Sequence, residues 1–156
     1  ASDEVRSAEP VAWLLVGLAA APSVAVWGFL ARRMSNAKAF ALACVLEAAG
    51  VAASVLGSAV PAIVVSAVLL GGTFMGITAL GLIEARRLAQ GEPRRTLAIM
   101  TAAFGLGQIL GPAFAGVVRD TTGSFVVPSL GAAGALVVAA LLVVMPPRQA
   151  PTRRSN

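Results

Sequence analysis

The chain has no histidine, no tyrosine, a single cysteine and few charges. Each shortage removes a class of function. Without histidine there is no imidazole to bind zinc or haem. The Ser–His and Cys–His pairs that activate nucleophiles are missing for the same reason. No metal site and no cofactor are therefore assigned. Cys44 stands alone, so an intrachain disulfide is impossible. Aromatic residues form 5% of the chain, and no aromatic-studded basic surface offers bases a stacking platform. Charged residues form 12%, against about 25% in soluble domains. With one acid embedded in an apolar run, no catalytic constellation appears and an enzyme is not expected.

What is present is apolar residues in long runs. Hydrophobic residues make up 58% of the chain and mean hydropathy is +0.86. Five runs stand out, over residues 11–31, 37–56, 60–83, 96–118 and 125–145. Each suffices to cross a hydrocarbon core of roughly 30 Å as a helix. The expected fold is all-α: a polytopic membrane helix bundle over residues 10–147. A polar loop precedes it over residues 1–9, and a basic tail follows over 148–156. The opening has neither an initiator Met nor a signal peptide, so a fragment or processed product is expected.

The net charge of +5 and sequence pI near 11.4 would suggest nucleic acid in a soluble protein. Here the cations sit in short segments between spans, and no nucleic-acid partner is assigned. Arg32, Arg33 and Lys38 follow span one. Arg86, Arg87, Arg94 and Arg95 follow span three. Arg148, Arg153 and Arg154 lie in the tail. Those ten share one side, and only Arg6 and Arg119 lie on the other. The positive-inside rule puts the N-terminus outside and the C-terminus in the cytoplasm.

Several positions within the spans carry expectations. Pro10 suits the first turn of span one. Trp13 and Trp27, about 21 Å apart along a helix, match an aromatic anchor at each interface. Pro22 and Pro112 should kink their helices. Span three carries Gly71, Gly72 and Gly76, a small-residue face. Span four contains TAAFGLGQILGPAFAG (101–116), and its four glycines and one proline would wreck a helix in water. In lipid, neighbouring helices can re-satisfy the freed groups. Gly107 and Gly111 share a face that Ala103 and Ala115 extend, a surface that lets another backbone approach closely.

Glu47 is the one acid deep in a span. An acid at mid-bilayer costs roughly 2.5–3.5 kcal/mol on insertion scales, so such residues face a cavity or a partner. Ala43, Gly50 and Ser54 surround it on its helix face. Two readings stand side by side: a proton carrier or substrate contact, and a protonated or paired structural carboxyl. Gln108 can hydrogen-bond across helices or meet substrate, the structural role leading. Thr73, Thr78 and Thr101 are weaker pathway candidates, since threonine hydroxyls often bond back to their own helix. Glu84, beside Arg86 and Arg87 at a span end, reads as an interfacial ion pair.

Two motifs carry a family resemblance. GFLARRMSNAK (28–38) resembles the G-x-L-A-D-R-x-G-R-K loop motif of the major facilitator superfamily. Arg33 matches the motif's Arg, Arg32 stands at its Asp, and Ser35 stands at its Gly. Three spans later, GQILGPAFAG (107–116) resembles the family's G-x-x-x-G-P-x-x-G-G motif, with Gly107, Gly111, Pro112 and Gly116 in place and Ala115 in the final pair. The family spaces these motifs three helices apart, as here.

Span three has no embedded arginine and the loop motif has lost its Asp, so the resemblance implies the second half of the fold, helices 8–12. The run GGTFMGITALGLIEAR (71–86) and GLGQILGP look most like the YbfB/YjiJ-type subgroup of bacterial facilitators. The resemblance implies a secondary active transporter of a small molecule in the bacterial cytoplasmic membrane. Its partners would be lipid, an N-terminal half, an unspecified substrate and, through Glu47, protons. It also implies that Arg33, in the loop motif opened by Gly28, latches the cytoplasmic ends together; the alternative is that Arg33 serves only positive-inside topology. Pro22, with the glycine–proline motif, would serve rocking between two states. The alternative is a self-standing five-span protein acting as an assembly partner without transport.

Overall fold

The computed structural model describes residues 3–57, 60–89 and 91–145, with side chains from residue 10 onward. Five helices follow one another: α1 (Asp3–Met34), α2 (Asn36–Leu56), α3 (Val60–Leu88), α4 (Pro93–Thr122) and α5 (Val126–Val144). No strand occurs among the described residues, and all five helices are long and apolar enough to cross a membrane. This is the all-α bundle that the apolar runs imply. The tail over 148–156 lies outside the described residues.

The helix ends differ from the apolar runs where polar residues continue the turns. α1 begins at Asp3, so residues 3–9 are helical rather than loop. Pro10 consequently lies inside the helix, not in its first turn. Both α1 at Pro22 and α4 at Pro112 continue unbroken past their interior prolines. Pro93 does open α4, where its missing N–H is harmless. α4 closes on Gly123, whose left-handed φ of 71° lets its amide donate to the Arg119 carbonyl at 2.7 Å.

The turn from α1 to α2 is tighter. Ser35 caps α2 with φ at 93° and ψ at 152°, a region that essentially only glycine occupies without strain. It is the position where the facilitator loop motif carries Gly. The one-residue reversal demands the conformation whichever side chain is present.

Chain order is not packing order. α3 packs on α1 and on α2, and α2 packs on α5, so the row reads α1–α3–α2–α5. α4 lies outside that row and touches only α3 and α5, lightly. None of its residues is buried.

The core is built from small residues. Ala39, Ala43 and Leu80 are buried around Trp27, with Phe40 and Ile77 partly buried against them. On α3, a Cβ at Gly71 would overlap the Val16 backbone, and one at Gly76 would overlap the Trp27 ring. These glycines let α1 and α3 approach at backbone distance, as the small-residue face predicts. Trp27 is not the interfacial anchor expected from its spacing to Trp13. It is 5% exposed, and its Nε1 donates to the Gly72 carbonyl at 2.7 Å. Trp13, at 67% exposure, fits the outward role. The difference is the partner: a slot without side chains faces Trp27, and a buried indole keeps its N–H bonded.

Candidate functional site

Where α4 leans over the row, it roofs a half-open cavity of about 700 Å³ between α2, α3, α4 and α5. Its walls are almost wholly apolar, with Phe40, Phe74, Phe104 and Met100 supplying the bulk. The Phe74 and Phe104 rings meet across the α3–α4 contact at 6.4 Å between centroids. Two acids, Glu47 and Glu84, and two threonines, Thr78 and Thr101, break the apolar lining.

Glu47 marks the inner end. It follows Ala39 and Ala43 on one face of α2, with Gly50 one turn further, and all of these are buried. Glu47 itself is 8% exposed. Thr73 of α3 lies opposite, its Oγ1 3.3 Å from Glu47 Oε2. That hydroxyl has one proton to give, and its shortest contact is to the Leu69 carbonyl of its own helix, at 2.7 Å. Thr73 therefore holds Glu47 loosely. Among the described residues, no lysine or arginine lines the cavity.

Glu84 marks the other end. It lies eleven residues beyond Thr73 on α3, about 16 Å along the axis at 1.5 Å per residue. Asn36, the first residue of α2, donates from Nδ2 to Glu84 Oε2 at 2.8 Å and to the Leu80 carbonyl at 3.0 Å. Arg87 Nη1 reaches Glu84 Oε1 at 4.0 Å, its side chain largely exposed. The cavity thus runs from mid-depth to the end of the bundle that carries the α1–α2 and α3–α4 turns.

The remaining sequence candidates scatter. Thr101 lines the cavity, and so does Thr78, which bonds back to the Phe74 carbonyl. Gln108 lies exposed on α4, outside the lining. Gly107, Gly111 and Gly116 have open space where a Cβ would stand, and Pro112 is exposed beside them. No described helix approaches that row closely. Pro22 is exposed on α1. The Arg33 guanidinium lies 5.1 Å over the Phe29 ring of its own helix, and Gly28 faces Arg32.

The tie between the α2 and α3 ends runs through Asn36 and Glu84, a pair that residue spacing did not single out. Asn36 sits among loop residues with no neighbour in sequence to mark it. The phenylalanines that wall the cavity read, one by one, like any lipid-facing residue.

Over residues 2–144 the chain matches the family described as uncharacterised MFS-type transporter YbfB. The chain belongs to this family. The major facilitator resemblance carried by residues 28–38 and 107–116 is thereby shown, and with it a multi-pass membrane protein of transporter type. No curated protein and no solved structure matches the chain.

Proposed function

We propose that the chain forms helices 8–12 of an MFS-type secondary transporter, with the α2–α5 cavity as part of its small-molecule pathway. The observation that carries this is the cavity itself, with Glu47 buried at its inner end and free of any basic partner in the lining. A loosely held carboxyl at mid-depth can accept and release a proton as the pathway opens to either side, which would couple transport to the proton gradient. The uncovered glycine–proline row of α4 suits close apposition of the other half of such a transporter. The ten-to-two distribution of cations supports a cytoplasmic C-terminus, and the bacterial inner-membrane location is read from the family match alone.

The test uses the complete transporter in vesicles under an imposed pH gradient, with dissipation of the gradient as the readout of a solute screen. The wild type is expected to respond to a subset of solutes, and Glu47→Gln to respond to none. A Glu47→Gln protein with full pH-dependent uptake would remove the proton role. A reading frame without spans ahead of Ala1 would remove the half-transporter reading.

A further inference from the structure

The chemistry of the cavity constrains what can occupy it. Its volume, about 700 Å³, falls inside the range of roughly 300–1,000 Å³ typical of small-molecule sites. Its walls present three phenylalanine rings, Phe40, Phe74 and Phe104, and the thioether of Met100. Among the described residues, its only charged groups are the two carboxyls, Glu47 inside and Glu84 at the rim. An anion would meet Glu47 with no cation in the described lining to offset it, and at the rim Glu84, which Arg87 approaches only to 4.0 Å. A neutral polar solute would find few donors: of the two lining threonines, Thr78 is committed to the Phe74 carbonyl, which leaves the Thr101 hydroxyl, and Thr73 beside Glu47 is committed to Leu69.

We propose that the cavity binds a lipophilic organic cation, its charge beside Glu47 and its apolar body between Phe40, Phe74 and Phe104. This deepens the transport reading and rests on it for the substrate role, but not for the binding itself. Glu84 is already engaged by Asn36 and approached by Arg87, so it serves as a rim attractor rather than the principal counter-charge. Glu47, buried and held only by the long Thr73 contact, is the group that gains from a cation. Aromatic faces add further attraction for a desolvated positive charge. The axial separation of the two acids lets an elongated amphiphilic amine enter at the rim and come to rest at mid-depth.

The experiment measures equilibrium binding to the complete, detergent-solubilised transporter with two probes of matched shape and opposite charge, tetraphenylphosphonium and tetraphenylborate. The expected result is saturable binding of the phosphonium only, weakened about thirtyfold or more by Glu47→Gln and restored in part by Glu47→Asp. Phe104→Ala is expected to weaken it independently, without touching either acid. Equal binding of both probes, preference for the borate, or phosphonium affinity unchanged in Glu47→Gln would overturn the proposal. The borate comparison needs no variant and so stands even if a substitution disturbs folding. Phosphonium binding without gradient-driven transport would uphold the cation site and reject the transport reading. Gradient-driven carriage of an anion through this cavity would do the reverse.

Discussion

The same substitution, Gly→Ala, should have opposite consequences on α3 and α4. At Gly71 the new methyl would overlap the carbonyl and Cα of Val16, backbone atoms that no rotamer change can withdraw. At Gly76 it would overlap Trp27 near the root of its ring, including Cγ, where a small swing gives little relief. Overpacking of this kind costs about 1–3 kcal/mol, and the backbone obstruction belongs at the upper end. Alanine returns up to about 1 kcal/mol of helix propensity, leaving each α3 variant destabilised by about 1–2 kcal/mol. At Gly107 and Gly111 nothing stands within 4 Å of the added carbon. Only the propensity gain remains, so those variants should be neutral or up to about 1 kcal/mol more stable.

The assay is unfolding of the chain in mixed micelles, followed by the fluorescence of buried Trp27 in a Trp13→Phe background. If Gly107→Ala or Gly111→Ala destabilises the chain as much as Gly71→Ala does, the packing order described above is wrong. The comparison should then be repeated in the complete transporter. A penalty at α4 that appears only there measures the contact with the other half.

Three further outcomes are expected. Ser35→Gly relieves roughly 1–3 kcal/mol of backbone strain and loses about 0.5–1 kcal/mol to glycine's greater freedom when unfolded. Its 3.5 Å cap contact to the Lys38 amide adds little, so the variant should be about 1 kcal/mol more stable in the same assay, and Ser35→Val less stable than wild type. Brominated lipids should quench Trp13 and spare Trp27, and Trp27→Phe should lose about 0.6–1.7 kcal/mol for the bond to Gly72, before any packing loss. Asn36→Ala removes both donors to α3 and should cost about 1–3 kcal/mol, whereas Lys38→Ala, exposed two residues away, should cost almost nothing.

The extent to which the sequence disclosed all this follows from the range of each interaction. Helix number and type were legible because apolar runs of bilayer length have few other uses. Glu47 was legible because a lone acid in such a run is expensive. Gly71 and Gly76 were legible as a small-residue face, but so was the α4 row, and periodicity does not say which face has a neighbour. Trp27 illustrates the same gap: its spacing from Trp13 fits an interfacial anchor, and only the opposing Gly72–Gly76 stretch turns it inward. Ser35 was visible as a departure from a motif glycine, although the strain it carries required the backbone to be seen. Asn36 with Glu84, and the cavity walls, depend on contacts between helices that are distant along the chain.

The pairing of α2 with α5, across an intervening α4, has a consequence for how the protein is made. From the end of α2 at Leu56 to the end of α5 at Val144, a ribosome working at about 5–20 residues per second needs roughly 4–18 s. Once α3 is complete at Leu88, α2 has α3 beside it and an empty flank where α5 will dock. Leu136 and Val143 of α5 line the same cavity as Glu47, so until α5 arrives that wall of the acid's cavity is missing. The nascent protein therefore passes through a stage, lasting seconds, in which its costliest side chain is least protected. A synthesis that stops before α5 would leave it there, a ready mark for membrane quality control.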